Sequence, residues 1–234
     1  MNKVYKNSLC VLIFLLFTIM GCKESDITST SNDYNYTPLQ VGNWITYEIE
    51  EIAIDKLSAL YDTTNYFIKE IITEKYIDLV GEEACRIERF YKKDSLSNWI
   101  IKDVWTSQII NNRYQKTEEN VKYVRLIFPA ELNKIWNGNA YNTNEEQEYE
   151  ITNIDEFETV NELDFDSVLT VTHENFLTQI EKKYSIEKFA KNVGLVYKEI
   201  IDIYADATPY TDSIEKRIKT ASIYKQKVID YGTN

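Results

Sequence analysis

From residue 36 onward, apolar and polar positions alternate in short runs separated by polar breaks. This two-residue period sends successive side chains to opposite faces of a strand and predicts an antiparallel β meander. Ile45, Tyr47 and Ile49 share one face; the alternation slips at Glu50-Glu51 and resumes at Ile52 and Ile54, which predicts a β-bulge. Further strands are predicted over residues 66–80, 83–92, 98–105, 109–116, 121–128, 148–160, 167–173, 195–204 and 218–230. Gly42, Gly81, Gly138, Gly194 and Gly232 fall at or between strand ends, as turns with positive φ require. Residues 174–190 read two ways. Phe176, Ile180 and Tyr184 lie at helical spacing, as do Ile186, Phe189 and Val193, yet 180–184 also suits a strand. A short helix or turn, then a strand entering a hairpin at Gly194, is expected there. The fold class is therefore mainly β, a single antiparallel sheet with little helix.

The N-terminus breaks this pattern. Lys3 and Lys6 precede an apolar run over residues 8–20, short for a bilayer span and right for the core of a removable export signal. The run ends in Ile19-Met20-Gly21-Cys22, which resembles the bacterial lipobox, although Met20 is bulkier than the residue usual there. The resemblance implies a signal peptide over 1–21 and acylation of Cys22 by two or three palmitate-type chains. At about 0.8 kcal/mol per buried CH₂ these anchor firmly where one chain is marginal. The competing reading is an uncleaved N-terminal anchor helix. Lys23, rather than Asp, follows the cysteine, which looks like outer-membrane sorting. Glu24 and Asp26 resemble the surface-export signal of Bacteroidota lipoproteins, so the periplasmic and surface-exposed orientations both stay open. The Ser-, Thr-, Asn- and Asp-rich residues after Cys22, through 36, hold too little apolar surface to order themselves and are expected to be a flexible tether. The predicted organisation is signal 1–21, lipidated cysteine and tether 22–36, and one β-rich domain 37–234.

Composition sharpens the picture in a few places. The 18 Tyr and 4 Trp favour strands. The formal charge of −12 becomes −14 once Lys3 and Lys6 leave with an acid-free signal, which disfavours nucleic acid and gives no basic patch for lipid headgroups. Of the 3 cysteines, Cys10 leaves with the signal and Cys22 takes lipid, so Cys85 has no disulfide partner.

A family resemblance rests on three segments. These are Tyr36-Thr37-Pro38-Leu39-Gln40-Val41-Gly42-Asn43-Trp44, the Trp136-Asn137-Gly138-Asn139 turn, and Phe189-Ala190-Lys191-Asn192-Val193-Gly194-Leu195-Val196-Tyr197-Lys198-Glu199. They look like uncharacterised Bacteroidota lipoproteins, and the last is similar to a hairpin of β-rich envelope proteins of the LolA-like, half-barrel type. The resemblance implies a curved, half-barrel-like sheet whose concave side is covered by a helix or loops. It brings no catalytic residue.

Candidate chemistry is sparse. His173 is the only histidine, so any Ser-His-Asp or Cys-His arrangement has one available base. It shares strand parity with Leu169 and Val171 and reads as a core histidine. Cys85 alternates with Ile87 and reads as a small buried side chain. No Lys or Arg lies between Lys134 and Lys182, where acids are dense, but the Asp-x-Asp-x-Asp-Gly loop of a calcium site is absent. The basic stretch 182–227 is expected to pair with these acids across neighbouring strands. Trp44, Trp99, Trp105 and Trp136 are candidate ligand-contact aromatics, with sheet core as the plainer reading. In that plainer reading Trp99, Ile101 and Trp105 share one inward face. No catalytic, cofactor or metal residues are expected. The expected function is a non-enzymatic envelope lipoprotein, a ligand-binding or interaction module, held at the membrane by its lipid and meeting a protein partner or an apolar ligand. A LolA-like acceptor of hydrophobic ligands is the alternative, and a carboxylate-dependent hydrolase ranks last.

Overall fold

A computed structural model of the protein describes residues 30–209 and 211–234. Within it, residues 31–234 form one compact unit. The strands in chain order are β1 (Asn43–Asp55), β2 (Leu60–Ile77), β3 (Glu83–Lys92), β4 (Ile100–Ile110), β5 (Arg113–Glu118), β6 (Val121–Ile127), β7 (Ile135–Asn137), β8 (Glu148–Val160), β9 (Leu163–Leu177), β10 (Glu181–Ala190), β11 (Gly194–Ala205) and β12 (Ile218–Thr233). They build a single 12-stranded sheet in the order β6-β5-β4-β3-β2-β1-β12-β11-β10-β9-β8-β7. Every pairing is antiparallel, and β1 and β12 meet in the middle as the junction of two meanders. The sheet curls until its two edges nearly touch. The Val124 amide of β6 donates to the Gly138 carbonyl just past β7 at 2.9 Å, and Trp136 Nε1 donates to the Val124 carbonyl at 2.8 Å. The expected curved, half-barrel-like antiparallel sheet is what forms, and it is closer to a closed barrel than to a half.

Several hairpins are turned by asparagine rather than glycine. Asn111-Asn112, Glu119-Asn120 and Asn161-Glu162 all have positive φ at both central positions, the twist-matched geometry of two-residue hairpins. Asparagine tolerates that region because its short amide bonds locally to the backbone. Gly138 and Gly232 do not sit in such turns: neither is at positive φ, and each is glycine because an aromatic ring lies over it. A Cβ on Gly138 would run into the Tyr149 ring, and one on Gly232 would reach the Trp44 indole at 2.9 Å.

The expected bulge at Glu50-Glu51 is absent. β1 pairs with β2 without interruption, and its register shift lies between Thr46 and Tyr47, against β12. The apolar parity changes along β1 because the core changes side. Tyr47 and Ile49 pack with Ile68, Val196 and Val228 inside the barrel, whereas Ile54 packs on the opposite face against Ile203, Ala205, Ile214 and Ala221. The break expected between 105 and 109 is absent too, since β4 runs through it to the Asn111-Asn112 turn. Residues 174–190 contain no helix: β9 continues to Leu177, a tight turn follows, and β10 enters the Gly194 hairpin. The helical spacing of Phe176 and Tyr184 arose from two strands read across a turn. The acidic stretch does meet the basic one, but not between neighbouring strands as expected: Glu158 of β8 reaches Lys188 of β10 over the intervening β9, and Asp155 reaches Lys191 in the β10–β11 turn, both at 2.5 Å.

Candidate binding site at the strapped mouth

The chain enters the barrel through a strap, residues 33–39, that begins in a 3₁₀ turn (Thr30–Tyr36). Residues 33–36, expected to close the flexible tether, are held in this strap instead. Polar composition hid two tyrosines that pack onto the barrel, Tyr36 buried and Tyr34 half-buried. Tyr36 is fully buried in the main core, and its hydroxyl donates to Asp155 Oδ1 at 2.6 Å. Tyr34 packs edge-on against Phe128, ring centroids 4.7 Å apart, and donates to Asn112 Oδ1 at 2.6 Å. Asp33 accepts from the Ala130 amide, and the Asn35 carbonyl accepts from the Asn192 amide. The strap is thus stitched to the β4–β5 turn, the loop after β6, β8 and the β10–β11 turn. It covers the mouth of the barrel in the place where a helix or loop was expected. Hydrogen bonds from Lys191, Ser167 and Tyr36 hold the Asp155 carboxyl down at about 2.

Beneath the strap lies a cavity of about 70 Å³. Leu39, Ile72, Phe189 and Leu195 give it apolar walls, and Glu70 and Lys116 supply its polar end. At 10–15 Å³ per probe position it holds roughly five waters, far below the 300–1,000 Å³ of ordinary ligand pockets.

The rest of the interior combines the apolar clusters with buried charge. Two ion networks line the inner wall, one inward-facing residue per strand. In the first, Glu70 on β2 accepts from Arg89 Nε of β3 and from Lys116 Nζ of β5, both at 3.0 Å. Arg89 also grips Asp103 of β4 through Nη1, and its guanidinium lies 3.4 Å from the Trp105 ring centroid. In the second, Arg125 on β6 makes a two-pronged bond to Glu118 on β5, at 2.7 and 3.2 Å. Its Nη1 reaches across the open seam to Tyr149 Oη on β8 at 3.4 Å and to Glu187 Oε1 on β10 at 3.3 Å. Lys198 of β11 completes the set at 2.9 Å from the same Glu187 oxygen. The sheet edges share little backbone pairing, so side-chain charge fastens the seam. Burial raises the Glu118 carboxyl, but Arg125, Lys198 and Lys116 outweigh it and the pKa falls to about 2. Glu187 is likewise raised by burial and then driven well below the carboxylate range by Arg125 and Lys198.

His173 sits against this network. Its ring stacks on Tyr149 at a centroid distance of 3.8 Å, with Ser185 Oγ 3.5 Å from Nδ1 and Glu187 Oε2 3.7 Å from Nε2. Burial lowers its pKa to about 3, Glu187 pulling the other way and Arg125 and Lys198 reinforcing the fall. The histidine is therefore neutral at pH 7. Serine, histidine and glutamate do converge here, but all three are buried and the geometry is that of packing: Ser185 lies too far for a firm bond to the ring. Cys85 is buried, and burial pushes its thiol up, away from the reactive thiolate.

The structure does not bring the four tryptophans together. Trp44 lines the cavity with Lys69 over its ring; Trp99 lies under Lys92; Trp105 is clamped by Arg89 and Lys116; Trp136 bonds the seam and packs edge-on to Tyr149. Trp99, Ile101 and Trp105 do not form the inward face expected of them, because Ile100, Ile101 and Val104 all stand in solvent and the β3–β4 register shifts between Arg89 and Phe90. Cys22 lies outside the described residues. Among the described residues no cluster of His, Cys, Asp and Glu has the form of a metal site. Nothing in the sequence marked Glu187, Arg125 or Lys198. Each reads there as one more solvated strand charge, and only an unbroken inward parity with Val171 and Phe189 across the ladder would have placed Glu187 inside.

Comparison with known proteins yields a fold-level likeness only. No family model matches the chain, and no curated protein matches it. A Bacteroides fragilis protein described as exported, with a YmcC-like fold, superposes with a TM-score of 0.47 at 12% identity, covering 84% of this chain and 98% of its own. A Parabacteroides distasonis protein described as a lipoprotein gives 0.37 at 12% identity over the same shares. The likeness is distant and partial, and it transfers no activity.

Proposed function

We propose that this protein is a lipid-anchored module of the bacterial outer membrane that works by binding a partner rather than by catalysis, with the strapped mouth as its recognition point. The observation that carries the reading is the 70 Å³ cavity with apolar walls and a Glu70–Lys116 polar end. A space of that size takes one side chain or chain terminus of a partner protein. It does not take an acyl chain, so the interior argues against a LolA-like acceptor and for an interaction module. Acylation of Cys22 rests on the lipobox-like Ile19-Met20-Gly21-Cys22.

The test is a photo-crosslinking amino acid at Trp44, on the cavity wall, in the full-length protein in its own membranes. A discrete protein adduct there, and none from the same probe at Leu96 in the exposed β3–β4 turn, supports the reading. Equal labelling at both positions, or a stoichiometric lipid retained in native mass spectra of the barrel, overturns it. The mass of the mature N-terminal peptide tests acylation separately.

A further inference from the structure

The β2–β3 hairpin carries three large apolar side chains into solvent at one place. Leu79 is wholly exposed, Val80 is 80% exposed and Ile77 is 67% exposed. The turn that presents them is built by Asp78. Its Oδ1 accepts from the Val80 and Glu82 amides at 2.9 and 3.0 Å, and its carbonyl accepts from the Gly81 amide at 3.1 Å. Those bonds engage the Asp78 carboxylate, with Glu82 exposed on the far side of the turn, and leave Leu79 and Val80 pointing outward on a braced turn.

Its position is informative. The Gly42 amide caps the barrel by donating to the Ile72 carbonyl, and β2 then runs on to Ile77 with β3 beside it. At about 3.3 Å per residue the tip stands roughly 16 Å beyond the start of β1, with β4 and the β4–β5 turn rising beside it. This is the same end at which the strap enters: Tyr34, Asn35 and Leu39 of the strap share a surface depression with Lys75, Glu82 and Glu83 of the hairpin. The strap begins at Asp33, only eleven residues after Cys22 in the sequence. Even fully extended, eleven residues reach at most about 40 Å. An acylated Cys22 therefore holds the mouth end within about 40 Å of its leaflet, and the β1–β2 hairpin tip at Leu57 lies a further length of β1 away, roughly 43 Å.

Resting on the lipid-anchor reading above, we infer that Ile77, Leu79 and Val80 form a second membrane contact. The hairpin tip dips into the interface of the leaflet that holds the acyl chains and turns the mouth end toward the bilayer, so that a partner reaching the cavity is itself held at the membrane. Acyl chains on a tether alone leave the domain free to tumble; a second apolar contact fixes its orientation and decides which surface partners meet.

The experiment uses the full-length acylated protein in phosphatidylethanolamine–phosphatidylglycerol vesicles, with a nitroxide at Leu79→Cys or, for comparison, at Leu57→Cys. Both positions are exposed, so neither change threatens the fold, and buried Cys85 does not compete for label. Collision with membrane-soluble oxygen against a water-soluble nickel chelate reports depth. A ratio several-fold higher at 79 than at 57, falling to the Leu57 level when Val80→Asp is added, supports the contact. Equal ratios at 79 and 57, in protein whose N-terminal mass shows the acyl chains, overturn it and leave the anchor standing. A mature N-terminus without acyl chains overturns the anchor, and this inference with it.

Discussion

With one histidine in the whole chain, the acid response of this protein is unusually easy to assign. His173 is held neutral by burial, with a folded pKa of about 3 against an ordinary value near 6.5. The sign follows from proton binding. Below pH 6.5 the unfolded chain takes up a proton that the folded protein refuses until near pH 3, so stability is complete above pH 6.5 and drains away as pH falls through that window. Between pH 7 and pH 5 the unfolded imidazole goes from mostly neutral to almost wholly charged, which costs the folded state about 2 kcal/mol. Carboxylates contribute little in this interval because even unfolded ones remain largely ionised. Urea denaturation at the two pH values measures the difference. With a slope of 1–3 kcal/mol per molar, the wild-type midpoint should fall by about 1 M. His173→Gln keeps a polar side chain beside Ser185 and Tyr149 but cannot titrate. Its absolute stability at pH 7 is lower, yet its midpoint should hardly move between pH 7 and pH 5. If wild type and variant lose the same stability over that interval, His173 is not the buried neutral group described here.

Other changes probe the seam and the strap. Glu187→Gln leaves Arg125 and Lys198 as buried cations without their shared counter-charge, and should cost about 3–5 kcal/mol by chemical denaturation. Gly138→Ala drives a methyl group into the Tyr149 ring where the Val124 amide of β6 hydrogen-bonds across the seam, and about 1–3 kcal/mol of destabilisation is expected. Hydrogen exchange should then speed up first at the Val124 amide. Tyr36→Ala empties a fully buried aromatic site and should cost about 3–5 kcal/mol, whereas a mere tether residue would cost nothing measurable. Leu79→Asp, at the exposed hairpin tip, should leave the denaturation midpoint within about 0.5 kcal/mol of wild type.

The sequence by itself determined the β class, the antiparallel meander and most strand positions, because a two-residue period is a local property that any strand with one dry face must show. It also determined that His173 and Cys85 would be inside, since each shares parity with aliphatic neighbours on its own strand. The tertiary structure alone decided which charges are interior. Glu70, Arg89, Lys116, Arg125, Glu187 and Lys198 read as ordinary solvated strand residues, and each is tolerable inside only because another strand of the folded sheet supplies its counter-charge. Closure of the barrel has the same origin, as Arg125 must reach residues 24 and 62 positions further along the chain to fasten the seam. The strap was hidden for the converse reason. Its composition is that of a linker, and Tyr34 and Tyr36 find their pockets only once β8, the β4–β5 turn and the β10–β11 turn have come together around them. Periodicity reports the face of a single strand, while the burial of a charge or of a lone aromatic is a property of whatever ends up opposite.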